Sequence, residues 1–363
     1  MNEIPTLTGS VSPDQLGIVS LSEHLLFGLP GWWYAPEVNF DRSAAFDQIC
    51  SSLKEFKELG GGTIVDTSGI TMGRNVPFYS KLAEVTGVQI VAATGFDSQP
   101  LSIPGHFFTH CFLYSNVQGP YYWFREVPGS FYPSYGATKE YMMYLFYNEL
   151  VRGMVAPGMI RTSIKAGIAK AASSWDQITQ IEELSVQGAA LAAKRAGVAL
   201  IIGGINGINQ ARQQMEMVLE EGLEPDRIVV GHSDDGRAID LERDKELAQK
   251  GAYVAYDHVG WEDTSVPHAV PDERRVELVK AMVDAGFAER IVLSCNAIGH
   301  AIDVPQPGHS FGHLLKNFVP KLKKAGVSDS TIDTILIENP KRILTHRGEI
   351  KYARPAYFGS RAP

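Results

Sequence analysis

Cysteine is scarce: only three occur in 363 residues, Cys50, Cys111 and Cys295. Their odd number and wide spacing exclude a disulfide framework and fit a reducing compartment. No run of about 18 apolar residues is present, so no membrane-spanning helix is expected. The opening stretch, MNEIPTLTGSVSPDQ, has neither the basic nor the apolar region of a secretion signal. Positive charge is not in excess either. Lys and Arg number 33 against 41 Asp and Glu, a net charge of -8, which removes the electrostatic basis for holding nucleic acid or an anionic membrane. No internal repeat of fixed period is visible. These absences predict a cytoplasmic protein whose partner is a small molecule, with no nucleic acid and no membrane.

What is present is a large apolar fraction, 44% hydrophobic against 20% charged, enough for a sizeable core. Short apolar or β-branched runs alternate with helix-like stretches. The runs are GIVSLSEH (17–24), GGGTIVDTSG (60–69), VQIVAATGF (88–96), SIKAGIAKA (163–171), VALIIGG (198–204), RIVVGHSDD (227–235), AYVAYDHVG (252–260) and RIVLSCNAIG (290–299). Between them, apolar residues recur three and four apart, the helical period. Three helix stretches, LKEFKELG, MVLEEG and ELAQKG, close on a glycine suited to a left-handed C-cap. The runs are nearly continuous in apolar residues, as strands buried on both faces are. Eight such units predict an α/β fold, a (β/α)8 TIM barrel, over a doubly wound open sheet. A single domain is expected over 1–347, followed by a tail at 348–363.

In a barrel the chemistry lies at the C-terminal ends of the strands. His24, Lys170, His232, Asp257 and Asn296 all fall there. Several motifs then occur in order: GGTIVDTSG, TGVQIVAATGF, AGIAK, LEEGLEPDRIVVGHSDD and ENPKRIL. From about Gly9 to about Arg347 the chain resembles the phosphotriesterase family of the amidohydrolase superfamily. The resemblance implies a (β/α)8 barrel holding two divalent metals. Their ligands would be a His-x-His in strand one, a carboxylated lysine in strand four, histidines ending strands five and six, and an aspartate ending strand eight. A bridging hydroxide would then attack phosphotriesters, lactones or esters.

Carried over position by position, half of that set is missing. His24, Lys170 and His232 match ligand positions, whereas Ser22, Gly203 and Asn296 stand where histidine, histidine and aspartate are implied. A catalytic zinc needs about three protein ligands, and neither metal keeps that many. No cofactor is therefore expected, with one divalent metal such as zinc, rebuilt from His24, His232 and Asp257, as the alternative. Without metal, Lys170 is read as a base or imine-forming amine with a lowered pKa, set among other cations. His24 and His232 are read as proton-exchanging groups, with Asp257 and Asn296 completing the catalytic set. Ser22 is a weaker nucleophile candidate. Strand alternation turns Cys295 away from the face shared by Ser294 and Asn296. Asp234 and Asp235 are read as caps of the following helix. The glycine-rich run 203–207 lacks the Lys-Ser/Thr of a P-loop and reads as a permissive loop.

Substrate contacts are expected from Trp33, Tyr34, Phe96, Asp97, Tyr122, Trp123 and His258. The insertion 97–160 is rich in aromatic residues, and a long loop in a compact domain is usually functional. It is read as a lid over the barrel mouth or as an interface in a homodimer. Asp97 stands about where lactone-cleaving relatives carry a tyrosine. Six further histidines, His106, His110, His268, His300, His309 and His313, are assigned to loops. The expected function is cleavage of a lactone- or ester-type bond in a bulky apolar or aromatic molecule. The alternatives are a metal-independent lyase or isomerase using Lys170, His24 and His232, and a non-catalytic binding relative.

Overall fold

A computed structural model describes residues 3–104, 138–174, 177–204, 210–263, 265–266, 268–306 and 308–348. Tyr122, Trp123, His106, His110 and Cys111 lie outside the described residues. A hairpin of β1 (Ile4–Thr6) and β2 (Gly9–Val11) leads into β3 (Ile18–Gly28), the first strand of the main sheet. Next come β4 (Gly61–Asp66) and β5 (Gln89–Phe96), then a small ribbon of β6 (Val155–Ala156) and β7 (Ile160–Arg161). The main sheet resumes with β8 (Ile168–Ser173), β9 (Leu200–Gly204), β10 (Ile228–Val230), β11 (Tyr253–Tyr256), β12 (Ile291–Leu293) and β13 (Ile298–Ile302). Its order is β12-β11-β10-β9-β8-β5-β4-β3-β13, and every pairing is parallel.

The two ends of that order are consecutive in the chain. β12 pairs with β11, and β13 pairs with β3. Two of the four residues between them are also bonded to β3 through the backbone: Asn296 N–H donates to Ser22 O at 3.0 Å and His24 N–H to Ala297 O at 2.9 Å. The eighth barrel strand is thus one run in two halves, and it returns the sheet to its first strand. The sequence reading of 290–299 as one uninterrupted strand is corrected here. The break is where Asn296 takes a left-handed φ of 47°, which no regular strand accommodates.

Helices α1 (Arg42–Glu58), α2 (Val76–Thr86), α3 (Lys139–Val151), α4 (Gln180–Ala196), α5 (Gln210–Glu220), α6 (Leu241–Gln249) and α7 (Asp272–Asp284) surround the sheet. Local chemistry starts and stops them. Asp41 accepts from two N–H groups at the start of α1, and Thr179 and Glu182 form a capping box on α4. The glycines expected to close three helices, Gly60, Gly222 and Gly251, all have positive φ. Two cores result. Ile49, Leu53, Leu82, Val186, Met215 and Val279 pack between the helices and the outward face of the strands. A second cluster, including Val19, Leu21, Val65, Val91, Ala93, Ile168, Ile201, Val229, Ala255 and Val292, fills the interior.

The aromatic helix of the insertion is part of the outer core. Met142, Phe146, Tyr147 and Leu150 of α3 are buried there, and Glu149 ties the helix to Arg74 at 2.6 Å and to Thr94 at 2.7 Å. The reading of 97–160 as a lid is corrected for this segment: α3 packs on the sheet's flank, because its apolar residues cover all but a narrow face.

Candidate active site

Inward positions recur every second residue along each strand. Continued one step toward the C-terminal end, the interior column changes character. Val65 is followed by Thr67, Ala93 by Gly95 and Asp97, Ile168 by Lys170, and Ile201 by Gly203. Val229 is followed by Gly231, Ala255 by Asp257, and Val292 by Ser294 and Asn296. In β3 the register against β4 shifts between Ser20 and Glu23. The inward face there passes from Val19 and Leu21 to Ser22 and His24. These upper residues other than Gly95 and Ser294, together with His232, line one cavity of about 330 Å3, its open mouth included. Such a polar layer lies where (β/α)8 enzymes carry their active sites.

Two ion pairs organise the cavity. Lys170 Nζ lies 2.6 Å from Asp97 Oδ2. His232 donates its backbone N–H to Asp257 Oδ1 at 2.8 Å, and its Nδ1 lies 2.8 Å from the same oxygen. The first pair depends on glycine. Gly95 is paired in register with Lys170, and a Cβ there would meet Lys170 O at 1.9 Å. The resulting close approach of β5 to β8 brings Asp97 to the amine. The second pair depends on backbone strain: His232 has a φ of 56°. His232 and Asn296 are thus two cavity residues held in a region that non-glycine residues rarely enter. His24 Nδ1 bonds Ser68 Oγ at 3.0 Å, and Ser68 Oγ donates to Leu26 O at 3.0 Å. Asn296 Oδ1 is buried without a hydrogen-bond partner.

The two histidines titrate in opposite directions. Burial, and then the Lys170 charge, push His24 down to about 3. For His232 burial acts downward, but the charge and hydrogen bond of Asp257, with Asp97 behind them, raise it to about 9. One imidazole is neutral and the other cationic at neutral pH. Asp97 is held at about 2: burial would raise it, and the Lys170 ammonium overcomes that. The sequence reading set Lys170 among cations. Its immediate partner is instead a carboxylate, because the register of β5 delivers Asp97.

Other expectations are corrected as well. Phe96 points outward from β5 into the outer core, where it meets Phe146 at a centroid distance of 5.3 Å. It cannot contact a ligand in the cavity. Asp97 lines the cavity but spends one oxygen on Lys170 and the other on Ser98 N–H at 2.7 Å. Asp234 and Asp235 cap no helix; Asp240 caps α6. Asp235 binds Arg237. Asp234 is fully buried, accepts the N–H groups of Asp257 and His258 at 3.1 and 3.0 Å, and holds Arg275 at 2.7 Å. His258 stacks on His232 with centroids 4.4 Å apart and is not among the cavity-lining residues. Trp33 and Tyr34 lie in a short turn after β3, 53% and 82% exposed. His300 sits in β13, and His313 binds Asp272 at 2.8 Å. Cys295 is buried in the outer core, as alternation implies.

Sequence reasoning missed three supporting residues. Thr67 Oγ1 lies 3.1 Å from Ser22 Oγ. Ser68 orients His24. Glu23, between two cavity residues, faces the other way and accepts from Ser20 Oγ and from the N–H groups of Cys295 and Ala297, at 2.9 and 2.6 Å. Burial lifts its carboxyl to about 8 against those bonds. Glu23 thereby clamps both sides of Asn296. Glu23 sits within the run Ser22-Glu23-His24, whose outer residues alone carry the sequence reading.

The donor set does not fit a paired-metal centre. Ser22 and Asn296 offer neutral oxygens and Gly203 offers no side chain, while Lys170 Nζ is taken by Asp97. His232, Asp257 and His258 place ligand-type atoms within 4.8 Å of one another; His24 is not in that group. The rebuilt set of His24, His232 and Asp257 is thus not the one the geometry gathers, and His232 and Asp257 already satisfy each other.

The comparisons agree with this architecture. A fold and cavity of this kind define a (β/α)8 protein with its polar site at the strand ends. The chain belongs to the phosphotriesterase family, whose sequence profile matches residues 2–113 and 117–344. It is 28% identical to a phosphotriesterase homology protein of Mycobacterium tuberculosis, over 96% of this chain and 99% of that one. It is 26% identical to an N-acetyltaurine hydrolase of Danio rerio, over 95% and 98%. The organophosphorus hydrolase of Deinococcus radiodurans superposes with a TM-score of 0.80 at 26% identity, covering 94% of this chain and 97% of that one. No helix among the described residues is long and apolar enough to cross a membrane.

Proposed function

We propose that this chain is a hydrolase of a carboxylic ester, lactone or amide bond in a bulky, apolar or aromatic small molecule, working without the paired metals of its family. The observation that carries the reading is the pair of fixed charges in one cavity: Lys170 beside Asp97, and His232 beside Asp257. They stand among positions whose metal-binding side chains are missing. The relatives named as hydrolases favour bond cleavage by water. Trp33 and Tyr34, exposed in the turn after β3 and outside the cavity lining, are the aromatic groups such a substrate would meet on its way in.

His24 has its Nδ1 bonded to Ser68 and, as a weak base, takes a proton from water on its other ring nitrogen. As the water oxygen bonds to the carbonyl carbon, the charge on the carbonyl oxygen is met by the Lys170 ammonium. Fixed charges of this kind act strongly in a site of low dielectric. The His232 imidazolium gives its proton to the leaving oxygen or nitrogen as that bond breaks. An imine route is disfavoured, because an ammonium bonded to Asp97 has no lone pair to attack with.

The test is hydrolysis of aryl esters, aromatic lactones and N-acyl amines, before and after dialysis against a chelator. Turnover that survives chelation, and falls about a hundredfold or more in Lys170→Met with binding of a product analogue kept, is the expected result. Turnover abolished by the chelator and restored by zinc overturns the metal-free reading. Unchanged turnover in Lys170→Met removes that residue from the mechanism.

A further inference from the structure

The family resemblance implies a lysine that carries a carboxylate made from carbon dioxide. In this chain a carboxylate already stands at the amine. Lys170 Nζ and Asp97 Oδ2 are 2.6 Å apart, with side chains only 8% and 12% exposed. The other Asp97 oxygen is fixed by Ser98 N–H at 2.7 Å. The approach is built into the backbone, since Gly95 admits β5 against Lys170 where any side chain would collide. We propose that Asp97 replaces the lysine carbamate: it is an internal carboxylate that occupies the place beside Nζ and keeps the amine from reacting with carbon dioxide.

The chemistry requires such a block to act on the lone pair. Carbamate formation joins the amine nitrogen to the carbon of carbon dioxide, moves one C=O electron pair onto oxygen, and releases the amine proton to solvent. With Nζ held to Asp97 Oδ2 at 2.6 Å and both side chains closed off from solvent, the lone pair has no open direction for that bond. A carbamate at Nζ would also face the Asp97 charge at close range, and like charges sharing a site disfavour each other. The groups that could relieve the repulsion through metal are absent at Ser22, Gly203 and Asn296. Asp97 is on this view a positioning residue for Lys170. The inference rests on the proposed charged role of Lys170, but not on which bond is cleaved.

The experiment traps carbamates chemically. The full chain is equilibrated with bicarbonate, with and without zinc, treated with triethyloxonium, and digested for peptide mass spectrometry. The wild type is expected to show an unmodified Lys170 peptide under both conditions. Asp97→Ala and the near-isosteric Asp97→Asn are expected to show the ethylated carbamate on Lys170. A carbamate on Lys170 in the wild type overturns the proposal. Both Asp97 variants folded by circular dichroism and yet unmodified overturn it as well, because something other than Asp97 would then be silencing the amine. The readout is modification and not turnover, so the hydrolytic reading can fail while this one stands.

Discussion

The lower and upper layers of the barrel interior follow one alternation yet answer to different demands. In the lower layers Val65, Val91, Ile168, Val229 and Val292 face one another and are fully buried. Further up, the inward columns present Thr67, Asp97, Lys170, Asp257 and Asn296 around a cavity. Close-packed apolar side chains gain from every contact they make. Buried charges gain little on balance, since desolvation offsets most of their attraction. The lower layers therefore hold the fold together, while the upper layer is tolerated for what it can do. A residue's place in the column, more than its type, says which demand it meets.

The sharpest way to break this comparison uses two positions on one face of one strand. Ile168→Ala should cost about 2–5 kcal/mol, the lost transfer energy plus a cavity that rigid neighbours cannot fill. Lys170→Met alone would leave Asp97 as a buried unpaired charge. The pair Lys170→Met with Asp97→Leu removes both charges, and its stability should be unchanged or about 1–4 kcal/mol higher. Turnover should vanish in the double variant and persist in Ile168→Ala. Denaturant midpoints and initial rates measure both effects. A double variant as unstable as Ile168→Ala would show that the upper layer is structural too.

A smaller effect comes from pH. His232 has a folded pKa raised from 6.5 to about 9, with burial opposing and Asp257 prevailing. A raised histidine stabilises the folded state fully below its unfolded pKa, and that stability is lost as pH rises through the folded value. Asp257→Asn should thus cost about 1.5–3 kcal/mol near pH 6, shrinking to almost nothing above about pH 10. Asparagine can still accept the backbone N–H of His232, which isolates the imidazolium. A cost equal at both pH values would assign the loss to packing and not to the charge on His232.

Much of this was legible in the sequence because the barrel is periodic. Alternation placed Ser22 with His24, turned Cys295 away from Asn296, and put Lys170 and Asp257 at strand ends. The illegible parts depend on pairing across the sheet. Glu23 bonds the backbone around Asn296, more than 270 residues later in the chain, and nothing in SLSEH announces such a partner. Lys170 meets Asp97 through the register of β5 on β8, and a shift of one residue would have turned Asp97 outward. Asp234 followed a histidine before a helix and resembled a cap by local pattern, yet its partners lie just past β11 and on α7. Phe96 was misplaced for the converse reason: its neighbour Asp97 belongs to the cavity, and alternation applied there would have excluded it.

The smallest effect concerns Gly203, an upper-layer position without a side chain. Gly203 continues the Ala199–Ile201 face of β9, where the family resemblance implies a histidine. A Cβ there would meet only Gly231, with its Cα at 3.5 Å, an ordinary contact, and the backbone needs no left-handed φ. The glycine is therefore not demanded by the fold, and the space in front of it belongs to the cavity. Gly203→Ala should leave stability unchanged or raise it by about 0.4–1 kcal/mol, since alanine restricts the unfolded chain. Its effect on the Michaelis constant should depend on substrate, larger for bulky acyl groups than for acetyl esters, because a methyl group removes room without touching either ion pair. A loss of stability would mean the gap serves packing. A uniform loss of turnover across substrates would place Gly203 against the reacting atoms themselves.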